Sequence, residues 1–146
     1  VRYYDFRAGD SLALGDGITV QTTMLDHPND AVGYRIAYGG RSVCYISDTS
    51  HKAGQTNQNI VNLIRDSDLV IYDAMFTEDE FADRPHWGHS TWEEAIRLAQ
   101  LANARRLVLF HHDPARSDDD LDMLAETAAA RQPGTIVAME GQTLDI

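Results

Sequence analysis

The sequence predicts an α/β fold in which strands come first and helices and strands then alternate. Three observations point there. Period-two apolar patterning fills the first third of the chain, helical spacing interleaved with short apolar runs fills the remainder, and no composition break or internal repeat divides the 146 residues. Residues 18–25 and 32–38 are rich in β-branched and aromatic side chains and read as strands. Gly39-Gly40 suits a primed two-residue turn, so residues 42–47 should return as the antiparallel partner of 32–38. Ala8-Gly9-Asp10 and Leu14-Gly15-Asp16-Gly17 punctuate two shorter strands near the start.

From residue 57 the rhythm changes. Ile60, Val61 and Ile64 give residues 57–65 a helical stripe, and the apolar run 69–72 reads as a strand ending in Asp73. Ser90-Thr91-Trp92-Glu93 has the form of a capping box, which predicts a helix opening at Ser90 with Trp92, Ala95, Ile96, Ala99 and Ala102 on its buried face. A strand over 106–110 follows. Ser117 and three aspartates after it mark another helix start, because a cap oxygen and negative charge both favour an N-terminus. Leu121, Leu124, Ala125 and Ala128 form its stripe, Pro133-Gly134 stops it, and strands are expected over 135–139 and 142–146.

Size and composition bound the function. With 43% hydrophobic residues the chain is long enough for one packed domain, 1–146. No apolar run reaches the length of a membrane span, and Val1-Arg2-Tyr3-Tyr4 lacks the form of a signal region, so a soluble, cytoplasmic protein is expected, with no membrane partner. The single cysteine, Cys44, lies in an apolar strand and reads as a small buried side chain. A net charge of -11 repels a phosphate backbone at long range and disfavours a naked nucleic-acid-binding module. Glu78-Asp79-Glu80 and Asp118-Asp119-Asp120 read as solvated surface.

The chemistry-bearing residues gather at strand ends. Asp48, Asp73 and His111 each terminate an apolar run, and groups leaving one edge of a sheet can converge while the sheet holds them rigid. Asp48 and His111 are of the right types to ligate zinc, although Asp48-Thr49-Ser50 would also suit an Asx turn by itself. His27, between a strand and Pro28, is a third candidate ligand or else a turn histidine. His89 precedes a helix start, where it could donate to an anion with help from the helix dipole. Asp73 is expected to accept a hydrogen bond from a ligand histidine, fixing its tautomer. His86 and His112 are weaker candidates, His112 pointing opposite to His111 by strand alternation, and His51, beside Lys52-Ala53-Gly54, reads as solvent exposed.

Four short motifs in order, Asp26-His27-Pro28 with Gly33-Tyr34-Arg35-Ile36, Ser47-Asp48-Thr49, Gly88-His89-Ser90-Thr91 and Leu107-Val108-Leu109-Phe110-His111, resemble the C-terminal half of a metallo-β-lactamase-fold hydrolase, on the phosphodiesterase side that includes ribonuclease Z. The resemblance covers nearly the whole chain. It implies half of an αββα sandwich and two zinc ions, manganese being the alternative, bridged by Asp48 with His27 on one and His111 on the other. His89 would then stabilise or protonate the scissile group. The family's His-x-His-x-Asp-His cluster does not occur in these residues.

The expectation is therefore a site completed by the N-terminal half of the same domain or by another chain, with 1–146 inactive alone. An uncovered apolar sheet face follows from the same reading, with homo-oligomerisation as another way to cover it. Phosphodiester hydrolysis leads as the function, with a phosphodiester or another small molecule as substrate. A non-catalytic interaction or assembly module of the same fold and a thioester or lactam hydrolase stand as alternatives.

Overall fold

A computed structural model describes Tyr3 and residues 5–146. Seven strands form one sheet in chain order: β1 (Ser11–Gly15), β2 (Ile18–Leu25), β3 (Ala31–Tyr38), β4 (Arg41–Ile46), β5 (Leu69–Asp73), β6 (Leu107–Phe110) and β7 (Ile136–Val137). The first four pair antiparallel and the last four parallel, so β4 is where the two halves of the sheet meet. The change of direction requires crossovers, and helices supply them: α1 (Gln58–Ile64) after β4, α2 (Glu78–Ala82) and α3 (Trp92–Leu101) after β5, and α4 (Asp118–Arg131) after β6.

The β3–β4 hairpin closes through Gly39 and Gly40 at φ +56° and +79°, the left-handed pair that a primed turn needs, and places Tyr38 opposite Arg41. Alternation then sorts the side chains. Cys44 and Ile46 of β4, Val70 and Tyr72 of β5, and Leu107 and Leu109 of β6 point to one face. There they meet Ile60, Leu63 and Ile64 of α1, Ala95, Leu98 and Ala99 of α3, and Ala128 of α4 in a single core. Arg35 closes the C-terminal end of α1, its guanidinium donating to the carbonyls of Leu63 and Arg65.

The opposite face carries a continuous row across five strands. Tyr34 pairs Tyr45, Tyr45 pairs Ile71, Ile71 pairs Val108 and Val108 pairs Ile136. On this face Ile36, beside the row, and Tyr45 within it are 44% and 38% exposed, whereas Val108 is buried. The half-sandwich resemblance implies such exposure.

Several expectations are corrected. Helix α3 opens one residue later than the Ser90 capping box predicts: Thr91 is the cap, its Oγ accepting from the Glu94 N–H at 3.0 Å, because the Ser90 N–H and carbonyl are already bonded to Asp73 and Phe76. Glu78 and Asp79 are exposed, as read from the sequence, and with Glu80 they open the short helix α2, capped reciprocally by Thr77 and Glu80. The strand expected over 135–139 shortens to two residues, and 142–146 forms no strand, since nothing lies beyond β7 for it to pair with. Of the two short strands near the start, β1 is present; the other falls partly on Val1, Arg2 and Tyr4, outside the described residues. No helix among the described residues is long and apolar enough to cross a membrane.

Candidate metal centre

The parallel strands β4, β5 and β6 end side by side, with Ile46 opposite Tyr72 and Asp73 opposite Phe110. Asp48, Asp73 and His111 therefore emerge along one edge, at the carboxyl ends of the strands where open α/β sheets place their ligands. Asp48 (φ +58°) and His111 (φ +60°) both adopt the left-handed backbone conformation, uncommon for residues other than glycine. That turn takes each side chain out of the strand's alternation and over the sheet edge, toward the other.

Asp48, His89 and His111 offer donor atoms that all lie within 4.8 Å of one another. The imidazoles of His89 and His111 meet edge to face with centroids 4.6 Å apart, and His111 Nδ1 lies 3.9 Å from Asp48 Oδ1. Beneath them Asp73 is fully buried and its carboxylate is saturated. Oδ2 accepts from the Asp48 N–H at 3.0 Å and faces His89 Nδ1 at 3.0 Å, with His111 Nδ1 at 3.4 Å. Oδ1 accepts from the Met75 and Ser90 N–H groups at 3.3 and 3.2 Å. One buried carboxylate thus touches all three donor residues and keeps an uncompensated charge out of the interior only because each of its oxygens is bonded.

The Asp73 carboxylate beside it holds the His111 imidazole above its ordinary pKa against partial burial, with Asp48 adding to the effect. Ser47 Oγ, 3.1 Å from the same Nδ1, is a further contact. His27 lies at the margin. Its ring is 6.4 Å from that of His89 and packs under Gly88, and its Nδ1 accepts from the Asn29 N–H, so it stands next to the three-donor group and not within it. His86 is exposed. His112 contributes no atom to the three-donor group: both ring nitrogens are enclosed without a hydrogen-bond partner among the described residues, and burial pushes its pKa down.

The expectation for His51 is overturned. Its side chain is only 6% exposed, stacked on Phe81 with centroids 4.2 Å apart and planes 12° from parallel, and its Nδ1 lies 2.9 Å from Ser90 Oγ.

The donor chemistry suits a divalent metal. One carboxylate and two imidazoles within mutual reach are what a single catalytic zinc holds while leaving a position open. A family model described as a beta-lactamase superfamily domain matches residues 1–112. The chain belongs to the beta-lactamase superfamily. Among this family's members, ribonuclease Z of Gemmatimonas aurantiaca is 31% identical over 138 residues, which cover 94% of this chain and 40% of that relative. The crystal structure of human tRNase Z, short form, superposes with a TM-score of 0.70 at 23% identity, covering 92% of this chain and 46% of that one. The metallo-beta-lactamase fold protein YhfI from Bacillus subtilis gives 0.73 at 24% identity over 94% of this chain and 52% of its own. The chain spans about 40% of the length of the curated relatives it matches. Its architecture is half of a metallo-β-lactamase sandwich.

Proposed function

We propose that residues 1–146 form the C-terminal portion of one metallo-β-lactamase-fold domain and carry one side of a metal-dependent phosphodiesterase site. The observation that supports this most directly is the meeting of Asp48, His89 and His111 over the buried Asp73 carboxylate. With His89 kept for the substrate, Asp48 and His111, joined by His27 from the margin, are only part of a donor set; two zinc ions, or manganese in their place, need further donors, which the N-terminal half of the domain or another chain would supply. Ribonuclease Z relatives favour a phosphodiester substrate over a thioester or lactam.

In this reading Asp48 and His111 would hold the metal, with His27 contributing from the margin. A divalent metal bound there supplies Lewis acidity and lowers the pKa of water. The protein's own work is orientation. Asp73 holds Nδ1 of His89, which leaves Nε2 as the nitrogen to meet a phosphoryl or leaving oxygen. The charge of -11 repels long polyanions, so cations at the site must offset it for any phosphodiester to approach.

The full-length protein tests this through zinc content and hydrolysis of a chromogenic phosphodiester. His111→Ala is expected to lose metal and activity together. His89→Ala should keep metal and lose phosphodiester hydrolysis by about 10²–10⁴-fold, with a much smaller loss on an acyl ester. A wild-type protein that binds no metal ends the reading. If His89→Ala releases metal, His89 is a ligand.

A further inference from the structure

We propose that His51 is a positioning residue: its Nδ1 fixes Ser90, and through Ser90 the Asp73 carboxylate that orients the metal donors. The inference rests on the metal reading above.

Asp48 and His51 leave the same loop, three residues apart, and reach opposite sides of Asp73. Asp48 gives its N–H to Oδ2 directly, whereas His51 acts through Ser90, whose N–H is one of the two donors to Oδ1 among the described residues. Ser90 is fully buried, so its hydroxyl depends on protein partners; His51 Nδ1 at 2.9 Å is one, and the buried Tyr72 hydroxyl also lies beside it. The loop is pinned immediately before this contact, the Ser50 N–H donating to the Asp26 carbonyl at 2.6 Å and the Ser50 hydroxyl to the Pro85 carbonyl at 3.2 Å.

The surroundings also set the tautomer. Burial pushes the His51 pKa down despite the carboxylates of Glu94, Glu78 and Asp26 nearby, so the ring is neutral at physiological pH. Glu78 Oε1, itself accepting from the Thr91 hydroxyl, lies 4.0 Å from Nε2 and favours the proton there. Nδ1 is then a lone pair, and the Ser90 hydroxyl donates to it. The stack on Phe81 holds the ring plane so that this lone pair faces Ser90. Packing alone requires a flat ring at position 51; the Ser90 contact requires a nitrogen.

That distinction gives the test. His51→Phe keeps a ring to stack on Phe81 and removes the acceptor. His51→Asn gives up the stack and keeps an acceptor close to the place of Nδ1. In the full-length protein, competition titration of zinc against a chromophoric chelator is expected to show about tenfold weaker binding for His51→Phe and wild-type binding for His51→Asn. Ser90→Ala should match His51→Phe, and the double variant should add nothing, as expected of two groups acting through one contact.

Thermal melts followed by circular dichroism establish that each variant is folded. If His51→Phe does not fold, Ser90→Ala and His51→Asn decide between them: weakened zinc binding in the first and retained binding in the second supports the inference, and the reverse overturns it. Wild-type affinity in His51→Phe, or equal weakening in His51→Phe and His51→Asn, assigns His51 to packing and overturns it. A wild type without zinc affinity removes the metal reading and this inference with it.

Discussion

Gly88 is the residue on which the placement of His27 turns. A Cβ there would lie 2.3 Å from His27 Cδ2 and 2.6 Å from Nε2, and the backbone at φ +85° is one that other residues adopt only with strain. Pro28 Cδ lies 3.0 Å from the same point, so the added methyl would press on the loop that carries His27 as well as on its ring. Gly88→Ala is expected to displace His27, weaken zinc binding by about tenfold, and cost roughly 1–3 kcal/mol of stability; zinc titration and thermal melts of the same variant read the two effects. Unchanged zinc affinity would detach His27 from the centre. Asp48, Asp73 and His111 were legible in the sequence because an apolar run that ends in a metal-binding residue announces both the strand and its exit point. His51 was not, because the ring that buries it, Phe81, comes thirty residues later on a helix too short to leave a periodic signal. Gly88 could have been found: a glycine before a candidate histidine is a position where backbone and side chain can approach closely.

At the scale of elements, local pattern located the long strands and helices well because each has a face to bury, and the alternation that identifies β4 also fixes which of its residues meet α1. Boundaries were set by something else. Helix α3 starts at Thr91 instead of Ser90 because the Ser90 backbone is claimed by Asp73 and Phe76, partners remote in sequence. A comparable claim ties β4 to β5 at the end far from the metal centre. Asp68, just before β5, accepts from the Ser42 N–H at 2.9 Å and from the guanidinium groups of Arg41 and Arg105, each at 3.1 Å. The Ser42 N–H and these two cations hold its carboxyl below the ordinary value of 3.8, against the opposing effect of burial. A carboxylate depressed on folding stabilises the fold at pH above its unfolded value and loses that contribution as pH falls through the folded one. Asp68→Asn is therefore expected to lower Tm at neutral pH, and the gap to wild type should close as the pH is taken below about 4. Melting curves across that range check it; a gap independent of pH would assign the loss to shape instead of charge.

For the molecule as a whole, the governing fact is that large apolar side chains, Ile36 and Tyr45, stand exposed on the sheet face opposite the helices. Sequence analysis carried an open face only as what the half-sandwich resemblance implies; the register aligns Tyr34, Tyr45, Ile71, Val108 and Ile136 on the face opposite the helices. What sequence could not give was the extent of the open patch, because that depends on where the helices pack. Water against this row is unfavourable by roughly 25 cal/mol for each Å² of apolar surface, which favours a covering layer; in half of a sandwich fold that layer is the facing sheet. Ile36 and Tyr45 stand on the open face and contribute nothing to the helix-side core, so Ile36→Lys combined with Tyr45→Lys separates the two environments. In residues 1–146 alone, sedimentation velocity is expected to show association at rising concentration for the wild-type chain and a monodisperse monomer for the double variant, with the same circular dichroism spectrum. In the full-length protein the sign reverses: if the facing sheet covers these positions, two lysines are forced against apolar surface without partners, and Tm should fall sharply, by the equivalent of several kcal/mol. A full-length double variant that melts with the wild type would mean that this face stays in water, and the second layer of the proposed domain would have no place to pack.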